Sequence, residues 1–546
     1  MSFSICTSCG QLLENTLVCD CGTIGMVRSM PPERTWSEFQ NDIFEFGEEE
    51  KNNLIIQAVA GSGKSTTLFE LAKRIGGEIV LLAFNKNIAE YAKGKLSGYP
   101  NIECRTFHSL GLQLLAKATG FYADMDQKGI KQSRLTAFFN ELPEFDSRFF
   151  RGEFYPKFIA RRVVKNIRQL GMMSYECEDI EQFIREVPGI FSIEARKRSD
   201  EQGWVFQNIH RFPFWLRELD KLPIRPLKDG PNKINTVKTV IDFDDMVRLP
   251  CIHNLVTRFG IKQKTALVDE SQDMNPYQIH LVTQLFKRKV RTICCGDRLQ
   301  AIYAFRGAFL DSMDRMKETT GASELPLSVT YRSRQAIVDF VNKEIHESTM
   351  IAHKDGGEVV SISKEQVVET VVKDDVRMIV GARNKSLIEC WIMLAKQKVA
   401  SSLKGSRIVE EIRDLIKDVK PENLDDLCEK LYESVEKSIV VNTDGEAVSS
   451  LPHQTVELIS AIPELVETFD MRTLDDLEDL LKEMEKEASR EIHTVHSAKG
   501  LESQTVIVLC DWFNNSQIEN MMYVAYTRAE DKLVLVSDWY RAEDLV

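Results

Sequence analysis

The sequence runs to 546 residues with a net charge of −13, 43% hydrophobic and 28% charged residues. That is too long for one domain and is the balance of an ordinary soluble globular protein. No stretch of eighteen or more apolar residues occurs, which excludes a membrane-spanning helix, and the acidic balance argues against a protein that coats duplex DNA by charge alone. The first residues lack a basic stretch ahead of an apolar core, so no secretory signal is expected. A soluble, intracellular, reducing setting follows, with thiols rather than disulfides.

In chain order, residues 1–30 carry Cys6, Cys9, Cys19 and Cys21, each pair followed by glycine. A tetrahedral zinc site made by these four thiolates is the natural reading and free thiols the alternative. Pro31 and Pro32 then break the chain. From Leu54 short apolar runs alternate with helical stretches. Leu54–Ile56, Ile79–Leu82, Ala266–Val268 and Thr292–Cys295 read as buried strands of a parallel sheet with helices on both faces. The stretch from about 112 to 238 is helical and rich in Phe and Arg, an insertion. Within it, residues 148–168 interleave basic and aromatic side chains, which suits either a nucleic-acid contact or an amphipathic helix with a cationic solvated face. A second β/α unit is expected to start near Leu325, with strands at Val376–Val380, Thr505–Leu509 and Lys532–Val536. Between about 387 and 488 lies an acidic helical block. There Leu474, Leu477, Leu480, Leu481 and Met484 share one helix face, with Thr473 as its N-cap.

Two strand ends carry the chemistry. Ala58–Ser65 reads AVAGSGKS between a strand and a helix. Glycine at 61 and 63 lets the backbone of Ala60, Gly61, Ser62 and Gly63 wrap a phosphate, and the N–H groups through Ser65 and Thr66 face its charge. Lys64 supplies a point charge to the β- and γ-phosphates, and Ser65 a hydroxyl to Mg2+. Ala266–Asp273 (ALVDESQD) ends an apolar strand in two carboxylates. Asp269 suits a role in holding Mg2+, and Glu270 one in orienting and deprotonating the attacking water.

With these two sites goes an ordered series of further motifs. Ala83–Lys86 (AFNK), Thr106–Leu110 (TFHSL), Asp242–Met246 (DFDDM), Gly296–Ala308 (GDRLQAIYAFRGA), Val329–Ser333 (VTYRS), His493–Glu502 (HTVHSAKGLE) and Tyr523–Ala529 (YVAYTRA) follow one another. From about residue 35 to 540 the chain resembles the UvrD/Rep/PcrA branch of superfamily 1 DNA helicases, with some likeness to the F-box helicases. The resemblance implies two RecA-like P-loop lobes in an α/β fold, ATP and Mg2+ as cofactors, and single-stranded DNA and single-strand/duplex junctions as partners. Arg332 and Arg528 would reach the transferring phosphoryl group from the second lobe, and Gln300 would touch both the γ-phosphate and the Asp269–Asp273 motif. Gln40 would read adenine, Tyr331 would stack on it, and Glu502 would meet the ribose. Phe84, Asn85, Thr106, Phe107, His108, Tyr303, Phe305, Arg306, His496 and Ser497 fall where the family holds the strand.

The expected layout is a zinc-binding segment at 1–30; a first lobe at 31–111 and 239–320 with its insertion at 112–238; and a second lobe at 321–386 and 489–546 with an acidic insertion at 387–488. The expected activity is that of an ATP-dependent 3′→5′ DNA helicase or translocase. The alternatives are a single-strand translocase that strips proteins and unwinds little, and a non-catalytic ATP-gated clamp. A monomer is expected, with any protein partner meeting the acidic block or the N-terminal segment.

Overall fold

A computed structural model of the chain describes residues 35–119, 156–169, 176–186, 204–221, 243–303, 311–404, 408–436, 453–512 and 517–537, with a few isolated residues and short strands besides. Three of those strands, β1 (Phe3–Ile5), β2 (Leu12–Glu14) and β3 (Arg28–Ser29), pair antiparallel. Cys6, Cys9, Cys19 and Cys21 lie outside the described residues, as do Phe305, Arg306 and all of residues 148–155.

Six parallel strands form the first sheet: β4 (Leu54–Ala58), β5 (Ile79–Ala83), β6 (Ile102–Thr106), β7 (Thr265–Val268), β8 (Arg291–Gly296) and β9 (Ser323–Leu327), in the order β6-β5-β7-β8-β4-β9. Apolar side chains leave both faces, as a parallel sheet covered on both sides requires. Leu54, Ile56, Leu81, Leu267 and Ile293 pack with Phe44, Leu68 and Leu71 on one face. Ile55, Val80, Leu82, Ala266 and Cys294 pack with Leu110, Leu114, Leu281 and Leu285 on the other. Leu325 belongs here, beside β4, and does not open the second unit; the first sheet therefore runs past 320 to Leu327.

A parallel pair, β10 (Val329–Arg334) and β11 (Ile351–Lys354), leads to the second sheet. That sheet holds β12 (Glu358–Ile362), β13 (Met378–Gly381), β14 (Ser402–Lys404), β15 (Glu491–Thr494), β16 (Ser503–Leu509) and β17 (Ala529–Val536), in the order β12-β17-β16-β13-β15-β14 and again all parallel. β14 lies beyond the expected boundary at 386, so the sheet takes one strand from the stretch assigned to the acidic block.

The block's helices Ile408–Val419, Leu424–Glu436, His453–Thr468 and Leu474–Glu485 bury Ile412, Leu427, Leu458, Leu477 and Leu481 in one core with Ile379, Ile492 and Ile507. Thr473 caps the last of them, its hydroxyl accepting from the Asp476 N–H while the Asp476 carboxylate accepts from the Thr473 N–H. The first-lobe insertion has its own core around Phe139, Ile159, Val163, Trp215 and Leu219. Its helix Pro156–Gln169 buries Ile159, Val163 and Ile167, and Arg168 is buried against Asp245 at 2.5 Å. Lys165 on that helix is exposed, as the amphipathic reading expects. None of the described helices is long and apolar enough to cross a membrane.

The two sheets meet across an apolar seam. Val59, Ala60, Leu299 and Ile302 from the first unit share one core with Val495, Ala498, Met521 and Tyr523 from the second.

Candidate active site and nucleic-acid interface

The loop after β4 is shaped by what sits against it. Gly61 and Gly63 have φ of +72° and +80°, the left-handed region that glycine adopts without penalty. A Cβ on Gly61 would lie 2.5 Å from the Arg332 Cβ and 2.6 Å from the Thr330 hydroxyl. The Tyr331 N–H donates to the Gly61 carbonyl at 3.0 Å, so β10 and the phosphate loop touch through backbone. The helix Lys64–Ile75 then starts with its N–H groups free to face an anion.

Ser65 and Asp269 converge. The Ser65 hydroxyl donates to the Asp269 carboxylate at 2.7 Å. Burial, and then neighbouring Glu270, push the Asp269 carboxyl up to about 6, against the pull of Ser65 and Lys64. Burial also opposes the charged form of Glu270, but Lys64, Lys499 and a hydrogen bond from Gln272 outweigh it and hold the group below the usual carboxylate range. Lys64 is enclosed at the base of the loop; desolvation works against its charge, yet Glu270, Asp297 and Asp269 keep it firmly protonated. Glu270 also carries φ of +52°, a strained conformation for a residue with a side chain.

The cations opposite come from beyond the seam. Arg332 on β10 donates to Glu502 at 2.7 Å and to the Thr527 carbonyl at 3.0 Å. Arg528 is buried, donating to the carbonyls of Val524 and Leu501. Burial, with repulsion from Arg332, pulls it down to about 9, while its charge reaches Glu270. Arg332 and Arg528 thus lie close enough to repel each other, the Arg332 backbone lies against Gly61 and the Arg528 charge is felt at Glu270.

Other expected residues fall into place unevenly. The Gln40 amide donates to Thr67 at 2.9 Å and accepts from the Tyr331 hydroxyl at 3.3 Å, so the two proposed adenine contacts meet. The Ser62 hydroxyl turns inward onto the Val59 carbonyl, and Thr66 lies in the first turn of the helix that follows. Gln300 donates to Asp297 at 2.7 Å. The Asp269–Asp273 motif is tied to Asp297 by its own Gln272, whose side-chain carbonyl accepts the Asp297 N–H at 3.1 Å and whose amide donates to Glu270 at 2.6 Å.

Beside this seam opens a cleft of ≈ 610 Å³ lined by Phe84, Asn85, Lys93, Arg105, Thr106, His108, Phe243, Asp273 and Tyr303, among others. Phe84 and Tyr303 lie nearly parallel, 11° apart with centroids at 6.5 Å. His108 stacks on Phe243 at 3.8 Å, and burial pulls its imidazole down to about 4, so it meets a ligand as a neutral ring. Asn85 caps the helix Lys86–Lys95, and the Thr106 hydroxyl accepts from the Ser109 N–H. Phe107 is a correction: it is 1% exposed and packs in the core under the sheet with Val80 and Leu110, so no base can reach it. From the second unit, His496 bonds the Ile302 carbonyl, Ser497 bonds its own unit at Lys404, and Lys499 clamps Asp273 at 2.7 Å and the Gln300 carbonyl at 2.7 Å.

Sequence reasoning gave no role to Asp297, Gln272, Lys499 or Tyr523, although each lies in or beside a motif it quoted. Among the described residues no group of three or more His, Cys, Asp or Glu could hold a metal. The Ser65–Asp269 pair nonetheless fits Mg2+, which takes one or two protein oxygens and completes its shell from phosphate and water.

The sequence profile of the UvrD/REP helicase N-terminal domain matches residues 36–321, and that of the UvrD-like helicase C-terminal domain matches 491–536. The chain belongs to the UvrD/REP helicase family. DNA helicase IV of Escherichia coli is 25% identical over 328 residues, 55% of this chain and 46% of its own length. Gabija protein GajB of Bacillus cereus is 23% identical over 51% of this chain and 63% of its own. DNA helicase II of Rickettsia typhi is 25% identical over 46% of this chain and 43% of its own. The chain thus spans about half the length of the curated relatives it matches. The family profiles take in both edges of the seam, with the phosphate loop and Glu270 in one and Arg528 in the other.

Proposed function

We propose that the chain hydrolyses ATP to move along single-stranded DNA, as a 3′→5′ helicase. The observation that carries this is the seam: a phosphate loop and two carboxylates from one sheet face Arg332 and Arg528 from beyond it. In the reaction, water attacks the γ-phosphorus, Glu270 takes its proton, and the bond to the β-phosphate oxygen breaks to release ADP. Lys64 and the loop N–H groups hold the phosphates, and Arg332 and Arg528 stabilise charge on the transferring group. Mg2+ held by Ser65 and Asp269 would neutralise the β- and γ-oxygens. Gln40 and Tyr331 suit the adenine, and Glu502 the ribose once its pair with Arg332 yields.

The cleft supports the DNA half. The 6.5 Å Phe84–Tyr303 spacing is about twice the ~3.4 Å step of stacked bases, room for one base between two rings. Asn85, Thr106, His108, His496 and Ser497 would guide the backbone or base edges, and the family resemblance gives Phe305 and Arg306 the same task. Polarity rests on family resemblance.

Strand displacement tests the reading. Unwinding of 3′-tailed but not 5′-tailed duplexes is expected. Hydrolysis stimulated by single strands without unwinding would favour the translocase that strips proteins. The intact set of Lys64, Asp269, Glu270, Gln300, Arg332 and Arg528 disfavours a clamp that does not hydrolyse ATP.

A structural zinc at Cys6, Cys9, Cys19 and Cys21 is part of the proposal, supported by antiparallel strands that bracket these residues in sequence. Metal analysis at one zinc per chain is expected, and a ratio near zero after gentle purification would remove it. The layout of lobes and insertions, a monomeric state and a partner on the acidic block complete the proposal.

A further inference from the structure

Tyr523 sits where the two units meet and is fully buried. Its hydroxyl accepts from the Ala60 N–H of the phosphate loop at 2.9 Å and donates to the Asp297 carboxylate at 3.1 Å. Burial drives the phenol well above its ordinary pKa, so the proton stays and the donor role is fixed. Asp297 is 0% exposed and also receives the Gln300 amide at 2.7 Å and the Leu299 N–H at 3.2 Å. Through its own N–H it leads to Gln272 and so to Glu270. Three residues beyond Gln300 stands Tyr303, one wall of the cleft. A single hydroxyl from the second unit is therefore bonded at once to the loop that would hold phosphate and to the carboxylate between the cleft and the proposed general base.

We propose that Tyr523 is a positioning residue through which the docked second unit orients Asp297, and by way of Gln272 sets Glu270, so that occupancy of the cleft by single-stranded DNA is felt at the water-activating carboxylate. The proposal rests on the ATP-hydrolysing reading above. Tyr523 would touch neither nucleotide nor strand. It acts by fixing, together with the Gln300 amide and the Leu299 N–H, which way the buried Asp297 carboxylate is turned. The isosteric Tyr523→Phe keeps the ring in its apolar seat and deletes only the two hydrogen bonds.

The experiment is steady-state ATP hydrolysis by the full chain, with and without saturating oligo-dT, for wild type, Tyr523→Phe, Asp297→Asn and the double variant, each first checked for a cooperative urea transition. In Tyr523→Phe, kcat with oligo-dT is expected to fall roughly tenfold while KM for ATP moves less than about threefold. The double variant is expected to be no slower than the slower single variant, because both changes remove one shared contact. Stimulation equal to wild type in Tyr523→Phe, a change in KM alone, or additive losses in the double variant would each overturn the inference and leave the reading standing. A folded wild-type chain that hydrolyses no ATP with or without oligo-dT would sink the reading and the inference together. If Tyr523→Phe loses its urea transition, the inference is decided by Asp297→Asn. A stimulated kcat equal to wild type in that variant overturns it, and a fall in kcat at constant KM sustains it.

Discussion

The two sheets share an architecture, six parallel strands covered on both faces, but end their strands differently. In the first, the apolar strand β7 ends at Asp269 and Glu270, which face a phosphate loop and an enclosed lysine. In the second, the equally apolar β16 leads to Asp511, which accepts from the N–H groups of Ala382 at 2.8 Å and Arg383 at 2.9 Å and so fixes the turn that leads into the helix Asn384–Lys396. Burial pushes both Asp269 and Asp511 up to about 6. The lesson is that a strand-end carboxylate and a shifted pKa do not make a site. What separates the two is the neighbour: Lys64 and a glycine loop in one case, backbone amides already satisfied in the other. Among the described residues, the second unit meets the first at the seam through Lys499, which bonds Asp273 and the Gln300 carbonyl, and Tyr523, which bonds Ala60 and Asp297.

If that division is right, Arg332→Ala has the largest effect. Its kcat should fall by about 10³ or more, the size of an arginine-finger loss. Fluorescent-nucleotide binding, the first sheet's task, should change little; a large loss of binding with kcat intact would move Arg332 to the ground-state site. Next comes Glu270→Gln, expected to lower kcat by about 10²–10⁴ while ATP still binds. Normal turnover in that variant would remove Glu270 from its role.

Asp511 gives a pH test of the contrasting strand end. Its folded pKa is raised from 3.8 to about 6, so the folded chain holds this proton more tightly than the unfolded one. The site's stabilising contribution is complete below about pH 4 and is lost as pH rises through about 6. Asp511→Asn lacks that titration. Relative to wild type, the variant should gain up to about 3 kcal/mol in urea stability between pH 4 and pH 7, with ATP hydrolysis changed little. A gap independent of pH, or a large loss of kcat, would break the comparison. The smallest effect is expected at Phe84→Ala, which should weaken single-strand binding by about 1–3 kcal/mol and leave hydrolysis without DNA unaltered. Unchanged affinity for oligo-dT would take Phe84 out of the cleft's function.

The strands were legible because a sheet buried on both faces needs uninterrupted apolar runs, and Ile79–Ala83 or Ser503–Leu509 can be little else. The phosphate loop and the Asp269–Glu270 pair were legible because glycine spacing and adjacent carboxylates have few structural uses. Sheet membership was not: a second unit was expected to start near Leu325, and only the pairing of Ser323–Leu327 with β4 assigns that stretch to the first sheet. Ser402–Lys404 was invisible because three residues carry too little pattern. Phe107 was misread because a motif fixes position along the chain and not which side of a helix faces the sheet. Tyr523, in the apolar helix Ile518–Tyr526, reads as core until its hydroxyl is seen between Ala60 and Asp297. Polar contacts between distant segments leave no local trace.

The most direct test of the account is the ATP hydrolysis rate of the full chain measured with and without single-stranded DNA in the same buffer. Hydrolysis that rises severalfold when the strand is added is the predicted result, since Lys499 ties cleft-lining Asp273 to the Gln300 carbonyl, Gln300 bonds Asp297, and the Asp297 N–H leads through Gln272 to Glu270. Hydrolysis absent under both conditions, in protein that still binds nucleotide, would contradict it and leave an ATP-gated clamp in its place.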